Sequence, residues 1–371
     1  MNEGNETLAL LRETVARTVP FDGDRIRRVR GQTPDFDRSV WRRMAEQGWF
    51  SILIPEEDGG LGLGLEAAAT VAEQLGMSCA PEPFVMAGVL VPALLARMTD
   101  RQMRNEQLPP LLAGDRIVSF AWQSPNGSLN PVDTEIRATK LSDGISLSGR
   151  CRFVTPADPD AFILLARSPE GLLLASVPRE LVAAHRVLES GPDGVFTAQL
   201  TLSGLRLPRS AILMEGEDVG LVVGDALNCA VIAQSAELCG LMQRAFSMTL
   251  DYLRTRHQFG VPIGSFQALQ HRCVDLFIQQ ELARHATAAA IRAAGQGVTG
   301  RKLALAASSA KARAAYAATL ITTQAIQLHG AIGFTDEYDL GLYVNRTARL
   351  AASLGNAAWH RRRYADLSEG A

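Results

Sequence analysis

The chain contains RTRHQFGVPI at residues 254–263 and, further on, QLHGAIGFTDE at residues 327–337. The first of these continues into Phe266-Gln267 and Gln270-His271. Both combine polar side chains with glycines, which adopt conformations closed to other residues and let a ligand approach the backbone. Because each stretch adjoins a segment with helical spacing of apolar residues, we expect both to be loops at helix ends.

The sequence around these loops has the apolar spacing of long helices. Residues 286–294 and 303–327 are rich in alanine, which favours long helices that pack closely. The chain is therefore predicted to be helical from about Met214 onward. One face of the helix before the first loop is predicted to carry Leu238, Leu241, Met242, Ala245, Thr249 and Tyr252.

The first third of the chain is predicted to be helical as well. Apolar residues recur at helical spacing within 8–15 and 41–49, and a turn follows at 55–60. A helix is predicted from Glu66 to Leu75, ending at Gly76. Two further helices, both punctuated by proline, are predicted before and up to Pro109-Pro110.

The middle of the chain is predicted to form strands. Residues 117–121, 145–148 and 196–202 have strand composition, and short apolar runs occupy 161–166 and 172–177. Short strands at roughly ten-residue spacing predict a small antiparallel sandwich or barrel. The helical, strand-rich, helical order implies an α+β fold with segregated domains, predicted at 1–114, 115–213 and 214–371.

Composition excludes several classes of function. The net charge is −2, which gives no electrostatic argument for nucleic acid. The five cysteines are dispersed without a CxxC pair, and the six histidines form no metal motif. These features predict reduced thiols in a cytoplasmic protein without a metal site. We expect no signal peptide and no membrane span, because the N-terminus is acidic and the apolar run 84–96 is short and broken.

The two loops resemble a family pattern closely. Residues 254–271 are similar to R-x-Q-F-G-x-P-I-x-x-F-Q-x-x-x-H, and residues 327–337 to Q-x-H-G-G-x-G-[FY]-T-x-E, both of the acyl-CoA dehydrogenase superfamily. Their separation and the preceding domain order also match. The resemblance covers essentially the whole chain. It implies an N-terminal all-α domain, a middle β-barrel or sandwich and a C-terminal four-helix bundle.

The resemblance further implies FAD as cofactor and an acyl-CoA as substrate, with hydride passing from the acyl Cβ to flavin N5. Arg256 would contact the pyrophosphate, which needs a fixed cation. The alternative for Arg256 is a surface salt bridge, and for Thr335 and Glu337 a helix cap. Ala331 stands where the family usually has a second glycine. The residues implied in FAD binding are Phe120, Ala121, Ser128, Phe153, Thr155, Arg256, Gln258, Phe259, Phe266, Gln267, Gln327, Leu328, Gly330, Thr335, Glu337 and Asn356.

The carboxylate that removes the acyl α-proton is missing at both positions the family uses. The usual position, near the C-terminus, is Leu354 here, and the minority position, on the helix before residue 254, is Ala230. Neither side chain can take a proton, whereas a positioned base contributes about 10²–10⁴-fold. Glu237, two turns beyond Ala230 on that helix, is predicted to be too distant to substitute.

Three interpretations remain open at this point. The chain is a subunit of a heteromeric α2β2 acyl-CoA dehydrogenase, whose partner supplies the base, and Gly355-Asn356 with His360-Arg361 resembles the G-D-x-x-x-H-R ending of such bacterial relatives. Alternatively it is a flavin monooxygenase on the same fold, or a non-catalytic scaffold. A homo-oligomer or a heterotetramer is expected in each case, because the family clamps FAD between subunits.

Overall fold

The computed structural model describes residues 3–369. They form two compact units, each assembled from separate stretches of the chain. One contains residues 3–28, 69–80 and 231–369, and the other residues 29–68 and 81–230. The predicted helical, strand-rich, helical order is confirmed.

The N-terminal region is helical throughout. Asp37 and Asp100 cap the N-termini of two of its helices, since their carboxylates accept from Ser39 N at 2.8 Å and Gln102 N at 2.9 Å. The helices are α1 Glu3–Thr18, α2 Gly23–Val29, α3 Arg38–Glu46, α4 Gly64–Met77, a π-helix Phe84–Leu90 continuing into α5 Val91–Ala96, and α6 Arg101–Leu112.

The middle of the chain forms an eight-stranded sheet in the order β6-β7-β3-β2-β4-β5-β8, with β1 paired to β4. Most pairs are antiparallel as predicted, but β1 and β2 both run parallel to β4, so the sheet is mixed. The elements are β1 Val118–Ala121, β2 Arg137–Lys140, β3 Gly144–Val154, β4 Ala161–Ser168, β5 Gly171–Pro178, the short helix α7 Arg179–Val182, β6 Arg186–Ser190, β7 Phe196–Pro208 and β8 Ile212–Gly216.

Long helices complete the chain, as the alanine-rich segments predicted. They are α8 Val219–Thr255, the hairpin of β9 His257–Gln258 and β10 Val261–Pro262, then α9 Gln267–Gly295, α10 Gly300–His329, α11 Leu340–Ala352 and α12 Ala357–Glu369. Helix α8 is long and apolar enough to span a membrane, but 78% of its most apolar window is buried inside the protein. It is therefore a core helix.

Helices α4 and α8 touch backbone to backbone at two glycines. A Cβ on Gly76 would lie 2.1 Å from the Glu237 carbonyl oxygen, and one on Gly240 would lie 1.9 Å from that of Glu73. The predicted helix end at Gly76 is wrong, because α4 continues to Met77. Gly76 is present for this close approach, and not as a helix terminator.

Candidate functional site

Arg256 lies at the end of α8, immediately before the β9–β10 hairpin. The two turn residues, Phe259 and Gly260, have φ of 54° and 80°, as a type I′ turn requires. Phenylalanine is strained in this conformation, and its ring is 90% exposed, in edge contact with Phe266. Within residues 3–369 the Arg256 side chain makes no hydrogen bond or ion pair, so the alternative reading as a surface salt bridge finds no support.

The second predicted loop follows α10 directly. Gly330 ends the helix with φ 66° and ψ −142°, a region that only glycine adopts readily. Ala331 lies in a 3₁₀ turn, Gly330–Phe334, and is not among the residues with positive φ. Its extra methyl therefore needs no backbone change. Thr335 does not cap α11, whose N-cap is Asp339, and its hydroxyl donates to the Ile332 carbonyl at 3.1 Å.

This loop is held in place by side chains that were not predicted from the sequence. His329 is buried between Ala325 O, 2.8 Å from Nδ1, and the Tyr338 hydroxyl, 3.1 Å from Nε2. Because a carbonyl only accepts, Nδ1 carries the proton and Nε2 accepts, which is the neutral imidazole. Burial lowers the pKa of His329 accordingly. Arg27 of α2 donates to Asp336 O at 2.6 and 2.9 Å and pairs with Asp339 at 2.9 Å.

The residues expected near the flavin ring lie at the ends of strands β1 and β3. Phe120 and Ala121 are buried in β1, and the following loop is closed by Gln123 Nε2 donating to Gly127 O at 3.2 Å. The Ser128 hydroxyl, half-buried, donates to Asp133 at 2.6 Å. The loop is thus fixed by its own side chains.

Phe153 occupies a β-bulge. Cys151 pairs with Leu200 and Val154 with Ala198, so β3 carries one residue more than β7 across this interval. Phe153 has φ 62° and its ring is 39% exposed, under the guanidinium of Arg152 at 4.8 Å. Bulges commonly re-aim side chains beside functional sites. The half-buried Thr155 follows it.

Leu354 lies in the turn between α11 and α12 and has φ 53°. It is 7% exposed, and its carbonyl accepts from His360 Nε2 at 2.8 Å. The side chain of Asn356 caps α12 by accepting from Trp359 N at 2.9 Å. Among the described residues, the non-glycine residues with positive φ are Cys79, Phe153, Phe259 and Leu354. Three of these four coincide with the predicted flavin and base positions, where stored strain is typical of function.

Glu237, the acid considered above as a substitute base, is already paired with an arginine. Glu237 is buried and accepts from Arg346 Nη2 at 2.8 Å. Breaking a buried pair of this kind costs about 3–5 kcal/mol, so the carboxylate is committed to the arginine. Ala230, at the other predicted base position, is fully buried and apolar.

The remaining predicted contacts are mostly exposed. On the helical side these are Gln258, Gln267, Gln327, Thr335 and Glu337, whereas Leu328 is buried at 7%. A Cβ at Gly260 or Gly330 would meet nothing within 4 Å, so ligand atoms have free access to both backbones. Within the helical unit, an unpaired arginine and open glycine backbones fit a dinucleotide that carries a pyrophosphate. When bound, FAD supplies the hydride-accepting ring.

Comparison with known proteins gives the same family over most of the chain. Residues 221–367 match the family model "Acyl-CoA dehydrogenase, C-terminal domain", and residues 5–115 match "Acyl-CoA dehydrogenase, N-terminal domain". Acyl-CoA dehydrogenase IpdE2 of Mycolicibacterium smegmatis is 30% identical over 358 residues, which is 95% of each chain. Acyl-CoA dehydrogenase FadE27 of Mycobacterium tuberculosis is 28% identical, over 88% of this chain and 87% of the relative.

Solved structures agree in fold. A Tcur3481-Tcur3483 steroid ACAD variant superposes with a TM-score of 0.84 at 27% identity, covering 99% of this chain and 98% of that one. The ChsE4-ChsE5 complex of Mycobacterium tuberculosis gives a TM-score of 0.86 at 23% identity, covering 100% and 98%. The chain is therefore a member of the acyl-CoA dehydrogenase family of FAD-dependent flavoprotein oxidoreductases.

Proposed function

We propose that this chain is the FAD-binding subunit of an oligomeric acyl-CoA dehydrogenase whose catalytic carboxylate comes from a partner subunit. The observation that carries the proposal is Leu354. An aliphatic side chain occupies the usual base position, Ala230 occupies the other, and Glu237 is held by Arg346. The chain keeps the motifs for the cofactor and lacks a group to remove the α-proton.

The surface of the helical unit supports a partner. Helix α9 exposes Val274, Phe277, Ile278 and Leu282, each between 46% and 55% accessible, at spacings that share one face. Phe259 in the β9–β10 hairpin and Phe334 in the turn after α10 are also exposed, at 90% and 79%. Clustered apolar exposure of this kind is typical of subunit interfaces. The similar Tcur3481-Tcur3483 steroid ACAD is named for two polypeptides, which favours a heteromer.

In this proposal Arg256, the hairpin and the Gly330 loop bind FAD across the interface, and the β1 and β3 ends face its ring. Residues 1–114, 115–213 and 214–371 act as the three domains, and the protein works in the cytoplasm. The substrate is an acyl-CoA thioester. Steroid-derived acyl groups are the first to test, because a similar structure is a steroid ACAD.

The test is rapid mixing of FAD-loaded protein with acyl-CoA, while the flavin absorbance is followed. The chain is produced alone and together with each candidate acyl-CoA dehydrogenase-like subunit from the same genome. We expect bleaching only with the partner, and we expect it to vanish when the partner's carboxylate base is replaced by glutamine. Replacing Glu237 with glutamine in this chain serves as a control for the acid that was considered as a substitute base.

Other outcomes would contradict the proposal in recognisable ways. Rapid bleaching by the chain alone would show that it carries its own base. A hydroxylated product formed from reduced flavin and oxygen would establish a monooxygenase. A colourless protein in every combination, despite added FAD, would indicate a scaffold.

A further inference from the structure

A fully buried lysine lies inside the helical unit. Lys311 of α10 has no accessible surface, and its Nζ donates to Gln234 Oε1 and to the Leu350 carbonyl, both at 2.5 Å. Lysine is almost never fully buried unless it is paired. Burial lowers the pKa of Lys311 to about 7, although Glu237 acts in the opposite direction. An apolar residue would pack these helices at lower cost, so helix packing alone does not explain the amine.

The hydrogen bonds from this cluster lead to the last turn of α11 and to the turn that follows it. The ammonium form of Lys311 only donates, so Gln234 turns its oxygen toward Nζ, which leaves Nε2 to donate to Ser353 Oγ at 2.8 Å. His360 of α12, also without accessible surface, donates from Nε2 to the Leu354 carbonyl at 2.8 Å. Three helices thus hold Leu350 at the end of α11 and Ser353 and Leu354 in the turn that follows it.

We propose that Lys311 is a positioning residue which, with Gln234 and His360, fixes the backbone of the Ser353–Gly355 turn whatever side chain residue 354 carries. The inference rests on the proposed function only in identifying residue 354 with the base position. The leucine side chain has no polar group for these hydrogen bonds to orient, and its backbone is strained at a φ of 53°. The hydrogen bonds therefore serve to place the backbone of the turn. Residue 354 carries no carboxylate here, and the hydrogen bonds hold the backbone of the turn all the same.

The other groups around the amine do not compete for this role. Glu237 of α8 is paired with Arg346 of α11 at 2.8 Å. Arg363 of α12 donates to the Ser308 hydroxyl at 3.3 Å. His360 has its pKa lowered to about 3 by burial, and by Lys311 and Arg363, so it is the neutral donor that the Leu354 contact requires. Lys311, Gln234 and His360 therefore form a network of oriented hydrogen bonds, which we call the clamp.

Amide hydrogen exchange of the FAD-loaded oligomer tests the clamp without depending on activity. The reporting amides are Ser353 N–H, bonded to Arg349 O at 3.0 Å, and His360 N–H, bonded to Asn356 O at 3.1 Å. We expect Lys311→Met to speed exchange at these amides by about tenfold or more, since two hydrogen bonds are lost, and to leave α9 unchanged. The matched control is Lys302→Met, which removes an exposed lysine from the same helix.

Ser353→Ala provides a milder variant, because it removes one hydroxyl and leaves the buried amine in place. We expect it to speed exchange of the turn about threefold. Unchanged exchange of the turn in either variant would overturn the proposal, and so would an equal rise throughout the bundle, which indicates global loosening. Neither outcome bears on whether a partner supplies the base.

A kinetic arm separates positioning from stability. If Leu354→Glu confers flavin reduction, adding Lys311→Met should slow the reduction step by about tenfold to a hundredfold and leave the acyl-CoA Kd unchanged, as misplacement of a base does. An unchanged reduction rate in the double variant would contradict positioning. If Leu354→Glu confers no reduction, the failure concerns the function of the turn, and hydrogen exchange alone decides the clamp.

Discussion

Replacing Lys311 by methionine should change how the stability of the protein depends on pH. In the folded chain the pKa of this amine is lowered from 10.5 to about 7, because burial disfavours the ammonium form. Between these two values the unfolded chain holds a proton that the folded chain has lost. Stability therefore rises with pH across this window, and below about pH 7 the contribution is flat.

The expected change in the free energy of unfolding follows from the one proton by which the folded and unfolded chains differ. A full difference of one bound proton changes the free energy of unfolding by about 1.4 kcal/mol per pH unit. Between pH 7.5 and 9.5 the protonation difference is nearly complete, so the wild type should gain about 2 kcal/mol relative to Lys311→Met. The window also avoids His360, which is neutral there in both states because its pKa moves only downward, to about 3.

The assay is urea unfolding of the FAD-loaded protein followed by helical circular dichroism. Protein and FAD concentrations are held constant, because both affect apparent stability. The wild type, Lys311→Met and the exposed-lysine control Lys302→Met are compared at each pH. Parallel pH profiles for the wild type and Lys311→Met would refute the reasoning, since they would mean that the buried amine exchanges no proton on unfolding.

Gly240→Ala should destabilise the protein by at least about 2 kcal/mol, because its Cβ would lie 1.9 Å from the Glu73 carbonyl oxygen. Gly224→Ala on the same helix, with open space around it, should stabilise by roughly 0.5–1 kcal/mol, and equal urea midpoints for the two would contradict this. Arg256→Met should weaken FAD binding roughly tenfold to a hundredfold, read from the flavin-to-protein absorbance ratio, whereas Arg256→Lys should lose less. Leu354→Glu should speed acyl-CoA-dependent bleaching by about 10²–10⁴-fold over Leu354→Gln, and equal rates would show that the turn is not the base position.

The periodic parts of the fold could be predicted from the sequence. Alanine-rich segments predicted α9 and α10, and alternation predicted β3 and β7, because a repeated pattern averages over local exceptions. Gly76 was misread because a glycine signals a helix end and a close helix crossing equally well. The parallel pairing of β1 with β4 depends on long-range order in the sheet, which no local pattern contains.

The loops of the candidate site could be recognised in the sequence where they consist of contiguous residues. Arg256 and Gly330 belong to recognisable loops, and the structure gives each the exposure or backbone freedom that a cofactor needs. The supports were not predictable. Arg27 braces residues more than three hundred positions away, and Lys311 reaches acceptors on two other helices, so only the folded chain brings their partners together.

The crossing of α4 on α8 has a consequence for synthesis. The unit that contains α9–α12 and α8 from residue 231 onward also includes residues 3–28 and 69–80, which leave the ribosome long before them. At 5–20 residues per second, the intervening residues 81–230 alone occupy on the order of ten seconds. During that time the glycine-bearing face of α4 has no α8 to cover it. The helical unit can be completed only when nearly the whole polypeptide has been made, and a fragment that starts at α8 would lack a helix that its own backbone is shaped to receive.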